Sequence, residues 1–169
     1  MMDWRKNKYD ISELTMIQII NAQTKAHYQY AHDLFVQYAD VLGLDLEFQG
    51  FSRELAALPG GYAPPLGCIL LAEMSGNYVG CVALRPMENK ICELKRLFVI
   101  PEYRGRDIGR TLTGSAIDRA RQMGYEKIRL DTIESMKAAR RLYQSLNFRT
   151  IQAYCYNPLE NPRYMELDL

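Results

Sequence analysis

The sequence predicts a mixed α/β fold, and three observations carry that prediction. Three β-rich runs, "CILLAEM", "NYVGCVALRP" and "KICELKRLFVI", follow one another across the short connections "SG" and "MENK", which suits an antiparallel meander. From Ile108 the apolar period changes to Ile108, Leu112, Ala116, Ala120 and Met123, a helical stripe ended by Gly124. The strand "EKIRLDTI" comes next, so strand, helix and strand form a crossover whose flanking strands are parallel.

The remaining elements fall around this centre. "LTMIQIINAQ" reads as an opening strand, and "TKAHYQYAHDLFVQYADVLGL" as a helix with Ala31, Leu34, Tyr38 and Leu42 on one face and Gly43 at its end. "FSRELAAL" is a second, short helix with Ser52 as its cap, and "PGGYAPPLG" is a loop. "SMKAARRLYQSL" carries Ala139, Leu142, Tyr143 and Leu146 on one face, with Asn147 where a left-handed cap belongs. Two last strands, "RTIQAYCY" and "RYMELDL", close the chain. There is no repeat, low-complexity tract or linker, and 169 residues with 48% hydrophobic content suit one core. A single domain over residues 1–169 is expected.

Composition excludes several classes. Lys plus Arg (21) nearly balances Asp plus Glu (20), which argues against a nucleic-acid binder with a broad basic face. No run approaches the roughly 18 apolar residues of a membrane span, and the start "MMDWRKNKYD" lacks a signal-peptide core, so a cytoplasmic protein without membrane partners is expected. Cys68, Cys81, Cys92 and Cys155 are widely spaced within apolar stretches and read as buried free thiols, with no pair at metal-ligand spacing. His27 and His32, five apart on a helix, diverge by roughly 140 degrees. No metal is expected.

The chemistry concentrates in "PEYRGRDIGR", where the chain passes from strand to helix. Arg104, Arg106 and Arg110 outweigh Asp107, a local charge of +2. A helix N-terminus offers unpaired N–H groups and partial positive charge, and a glycine before it lets the backbone approach an anion. Guanidinium groups grip phosphate oxygens in pairs, so the stretch suits a diphosphate. An ordinary charged helix start fits the same residues. Neither the dinucleotide-binding nor the P-loop glycine pattern is present.

"CELKRLFVIPEYRGRDIGRTL", followed by "GYEKIRLDT" and "AARRLYQSLNF", resembles the GCN5-related N-acetyltransferase (GNAT) superfamily, which moves an acetyl group from acetyl-CoA to an amine. The family signature Q/R-x-x-G-x-G/A is filled by Arg104, Gly105, Arg106, Asp107, Ile108 and Gly109. The resemblance is clear from about Cys81 to Phe148. It implies a mostly antiparallel sheet with one splayed parallel pair and flanking helices. It also implies acetyl-CoA as acetyl donor, with the pyrophosphate on residues Arg104 to Arg110 and the pantetheine arm along the backbone of Leu97, Phe98 and Val99. Three positions depart from the pattern: Asp107 at the central glycine, Met136 at a frequent asparagine and Asn147 at the usual glycine before Phe148. A carboxylate about 4 Å from a phosphate would cost roughly 4 kcal/mol at an effective dielectric of 20. Asp107 is therefore expected to turn outward as a helix cap.

The resemblance also implies roles in transfer. The tyrosine of the family's L-Y-x-x-x-G-F segment, a general acid in relatives, is Tyr143, which also belongs to its helix's apolar face and could serve as a packed core aromatic. A carboxylate on the strand before the loop serves relatives as base; here that is Glu93. Strand alternation puts Glu93 on one face with Lys95, Leu97 and Val99, and pairing with Lys95 is the structural alternative.

For the acceptor, Asp33, Asp40, Asp45, Glu47 and Glu54 stand against Arg53 alone between residues 33 and 54, a net of −4. Such a wall suits a cationic amine, and a solvated helix face fits equally. Tyr62, Tyr154 and Tyr156 are candidates to frame the pocket or to pack its rim. The reading is an N-acetyltransferase acting on a small-molecule or peptide amine in a ternary complex, with a non-catalytic acyl-CoA-binding module as the alternative. Terminal strands left at a sheet edge are compatible with a homodimer.

Overall fold

The computed structural model describes residues 16–169. In chain order it contains β1 (Gln18–Asn21), α1 (Lys25–Leu42), α2 (Phe51–Ala57), β2 (Cys68–Met74), β3 (Asn77–Pro86), β4 (Ile91–Val99), α3 (Ile108–Gln122), β5 (Lys127–Ile133), α4 (Lys137–Ser145), β6 (Arg149–Ile151) and β7 (Pro162–Asp168). Leu14 and Thr15, at the head of the predicted opening strand, lie outside the described residues. The seven strands form one sheet in the order β1-β2-β3-β4-β5-β7-β6. Every neighbouring pair is antiparallel except β4 and β5, as the crossover through α3 requires.

The parallel pair is short. Ile91, Cys92 and Glu93 pair with Lys127, Ile128 and Arg129, and beyond Glu93 no rung joins β4 to β5. The two strands splay there, and the opening is the origin of the site.

A second irregularity sits on the other edge of β4. Cys81 pairs with Phe98 and Ala83 with Lys95, so β4 carries one residue more than β3. The extra residue is accommodated at Arg96, whose φ is 58°, a bulge with a left-handed residue. Gly80 fits against it because a Cβ there would stand 2.7 Å from the Phe98 carbonyl oxygen. The bulge overturns the expected alternation. Leu97 and Val99 pack with Cys92 and Leu94 on the face that α3 covers, whereas Phe98 joins Cys81 and Ala83 beneath α1 and α2. Glu93 and Lys95 therefore do not share a face with Leu97 and Val99.

The sheet is packed on both sides. Ile108, Leu112, Ala116, Ile117 and Ala120 of α3 and Tyr143 of α4 cover one face; Ala31, Leu34 and Phe35 of α1, with Phe51 and Tyr62, cover the other. Each large apolar side chain so buried contributes about 1.5–3 kcal/mol before entropy is counted. Local signals set the helix ends. Thr24 Oγ1 accepts the His27 N–H at 3.1 Å, Gly43 closes α1 at φ 63°, and Asn147 turns the chain after α4 at φ 67°.

Three further expectations need correction. Ser52 does not cap α2: the cap is Gly50 at φ 70°, while the Glu47 carboxylate accepts the Ser52 N–H at 2.8 Å and its hydroxyl as well. The expected strand "RTIQAYCY" keeps only Arg149–Ile151; the chain from 152 to 161 is instead irregular and is anchored by Tyr154 on Glu93 and Asn157 on Asp131. Cys155 on that loop is exposed, unlike Cys68, Cys81 and Cys92. Among the described residues no helix is long and apolar enough to cross a membrane.

Candidate active site

A cleft of about 920 Å³ opens where β4 leaves β5, of the size that holds a cofactor-scale ligand. Its floor is Leu97, Phe98 and Val99, one wall is the turn from Tyr103 to Arg110, and the opposite wall is α4 from Lys137 to Ser145.

The turn answers the question that Asp107 raises. Asp107 adopts φ 58° and ψ 12° immediately before α3, the left-handed region in which glycine is at ease and Asp or Asn is tolerated. Its main-chain carbonyl accepts from the Thr111 N–H at 2.9 Å, but its side chain makes no capping bond and is exposed. Asp107 nevertheless lines the cleft, so its charge stands beside the site rather than away from it. Capping belongs to the carbonyl alone. The first-turn N–H groups of α3, at Ile108, Gly109 and Arg110, lack acceptors within the helix.

The arginines divide. Arg104 donates from Nε to the Val99 carbonyl at 3.1 Å and Arg110 donates to Ser145 Oγ at 2.8 Å, and both line the cleft. Arg106 lies over the Tyr103 ring at 5.7 Å, outside the lining. Two cations that sequence reasoning missed, Lys137 and Arg141 of α4, line the cleft in its place. They stand some thirty residues from the loop, and only the folded pairing of α3 with α4 brings them to it. Four cations, first-turn N–H groups and Gly105 and Gly109 form a donor set that fits a polyanion such as the diphosphate of an acyl-CoA.

A second cavity of about 40 Å³ abuts the cleft and shares Tyr38, Leu42, Leu97 and Met136 with it. Besides Tyr38, its polar lining is Lys95, Arg96, Asp131, Thr132, Gln49, Asn157 and Tyr143. Tyr143 is 5% exposed, and its ring packs on Phe148 at 5.6 Å. Burial, then the charges of Tyr38 and Asp131, hold its hydroxyl above the ordinary value of 10.0, so it carries its proton at neutral pH.

Glu93 lines neither cavity. Its Oε2 accepts from Arg85 Nε at 2.7 Å and its Oε1 from the Tyr154 hydroxyl at 2.9 Å. Lys95, the partner offered as the structural alternative, stands 3.9 Å from Glu93 and is closer to Asp131, at 3.2 Å. Asp131 also accepts from Asn157 Nδ2 at 2.8 Å. Sequence reasoning passed over Asp131, although an acid inside an otherwise β-prone strand is itself a signal. Arg96 is held by Glu54, Nε to Oε1 at 2.9 Å and Nη2 to Oε2 at 2.8 Å, and by Gln49 at 3.0 Å.

The acidic run does not form a wall. Asp33, Asp40, Asp45 and Glu47 are exposed and line neither cavity, and Glu54 is taken up by Arg96 and the Tyr62 hydroxyl. Tyr62 and Tyr154 are packed polar struts, and Tyr156 is 79% exposed.

A seven-stranded sheet that splays at its one parallel pair, with a cationic cleft at the opening, defines the architecture of acyl-CoA N-acyltransferases. The model of the Acetyltransferase (GNAT) family matches residues 23–148, a span that includes every residue of the cleft, and this chain belongs to that family. An uncharacterized N-acetyltransferase of Schizosaccharomyces pombe is 39% identical over 80% of this chain and 85% of its own length. A GNAT-family acetyltransferase from Staphylococcus aureus has the same fold, with a TM-score of 0.75 at 23% identity over 90% of this chain and 99% of its own. One from Elizabethkingia anophelis, solved with acetyl-CoA bound, gives 0.66 at 22% identity over 90% and 98%.

Proposed function

We propose that this protein transfers the acetyl group of acetyl-CoA to a primary amine in a direct ternary complex. The observation that carries this reading is the shared wall of the two cavities: a donor lying in the cleft and an acceptor in the small cavity meet at Leu97 and Met136. The amine nitrogen bonds to the acetyl carbon, the carbon–sulfur bond breaks, and the thiolate takes one proton. From an ammonium acceptor, the products are the amide, CoA thiol and one proton released to water.

Each residue has a role in this reading. Arg104 and Arg110, with the first turn of α3, hold the diphosphate, and Lys137 and Arg141 add charge from α4. The edge of β4 at Leu97, Phe98 and Val99 that β5 no longer pairs holds the pantetheine arm and offers an N–H to the developing oxyanion. Tyr143 supplies the proton to the departing sulfur. Glu93, with both oxygens engaged by Arg85 and Tyr154, holds those two side chains and does not act as the base. A covalent acetyl-cysteine finds no support: burial pushes the Cys68 and Cys155 thiols up to about 11, the Cys92 thiol to about 12 and the Cys81 thiol up as well, away from the thiolate a nucleophile needs.

The test is release of CoA thiol from acetyl-CoA in the presence of a panel of primary amines. Amine-dependent release that falls about 100-fold in Tyr143→Phe supports the reading. Acetyl-CoA binding without turnover of any amine contradicts it and leaves a binding module.

A further inference from the structure

Resting on the acetyltransferase reading, we infer that the acceptor is a zwitterion, a small amino acid whose carboxylate stands beside the amine that is acetylated. The charges around the small cavity come in matched pairs. Arg96 is paired with Glu54, Lys95 with Asp131 and Arg85 with Glu93, and apart from Arg85, whose side chain is 38% exposed, these side chains are at most 12% exposed. An acceptor with a net charge would add an uncompensated charge to this balanced, desolvated cluster, at a cost of several kcal/mol per ion. A zwitterion adds none.

The cluster is balanced but not uniform. Lys95 and Arg96 present cationic groups to the cavity and Asp131 presents an anionic one. A guanidinium has five N–H donors, and Arg96 spends three of them on Glu54 and Gln49. Two remain for a carboxylate. Asp131 holds each oxygen against a single donor, Lys95 or Asn157, and each oxygen retains a lone pair for an ammonium. The lining therefore carries both signs, as a zwitterion does.

Size points the same way. A cavity of about 40 Å³ has room for about three waters at 10–15 Å³ each, which favours a compact acceptor. It does not suit a long polyamine arm. The acids that would have recruited a polycation, Asp33, Asp40, Asp45 and Glu47, lie outside it.

The experiment compares kcat/KM of the wild-type protein for small L-amino acids, for the carboxamide and methyl ester of each, and for spermidine and tyramine. Esterification or amidation keeps the amine and removes the carboxylate charge. The expected result is a preference of at least tenfold for the free amino acid over its own carboxamide and ester, with the carboxylate contributing through KM. Equal or better turnover of carboxamides, esters or the simple amines overturns this inference and leaves the acetyltransferase reading standing. Acetyl-CoA binding with no turnover of any member overturns both.

Discussion

Glu93 and Tyr154 meet at 2.9 Å, and the second oxygen of the same carboxylate is held by Arg85 at 2.7 Å. The relationship ties β4 to the loop after β6, across 61 residues of sequence, and it occupies the group that family resemblance would make a base. Glu93→Gln keeps the shape but turns an amide toward a donor and leaves Arg85 without its counter-charge. Because the Arg85 side chain is 38% exposed, water offsets part of that loss. Urea unfolding is expected to show a loss of about 1–3 kcal/mol, with kcat changed less than tenfold. A 100-fold fall in kcat at unchanged stability would return Glu93 to the role of base.

Tyr143→Phe removes one hydroxyl and keeps the ring packed on Phe148. The expected result is a fall in kcat of about 100-fold, with acetyl-CoA affinity in calorimetry unchanged within about twofold. Because burial raises this hydroxyl above 10.0, the acid keeps its proton through the alkaline range. The kcat profile of the wild type is expected to show no loss from this group up to pH 10.

Asp107 combines a left-handed backbone with a negative charge beside a site for polyanions. Asp107→Gly relieves both and is expected to tighten acetyl-CoA binding several-fold, with folding stability within about 1 kcal/mol of the wild type. Asp107→Ala removes the charge but strains the backbone, at about 1–2 kcal/mol. Calorimetry and thermal unfolding of the two variants separate the electrostatic effect from the conformational one.

Acid stability is expected to depend on Glu166. It is buried in β7 and receives Arg129, Lys127 and Arg149 at 2.8, 2.9 and 2.7 Å. Burial alone would raise its carboxyl, and those three donors outweigh it, holding the group at about 2 against an ordinary 4.5. A depressed carboxyl adds stability that is fully present above pH 4.5 and is lost as pH falls from there toward 2. Between these limits the wild type is expected to lose stability more steeply than Glu166→Gln, as measured by denaturant unfolding at each pH.

Much of the fold was legible in local sequence. The β2–β3–β4 meander, the stripe from Ile108 to Met123 and the left-handed turns at Gly43, Gly124 and Asn147 each rest on a period or a turn residue that neighbours in sequence specify. The bulge at Arg96 was not legible, because arginine gives no sign that it will adopt φ 58°, and one extra residue reverses every face assignment beyond it. The cationic loop from Arg104 to Arg110 could be read. Lys137 and Arg141 could not, since their place in the cleft depends on how α4 packs beside α3. Asp131 escaped for the same reason: its partners Lys95 and Asn157 lie 36 and 26 residues away.

The most direct test is calorimetric titration of the protein with acetyl-CoA, with ADP in parallel. The account expects one site per chain, bound clearly more tightly by acetyl-CoA than by ADP, because the pantetheine arm adds contacts along Leu97 to Val99 that ADP lacks. No binding, or binding equal to that of ADP, would contradict it.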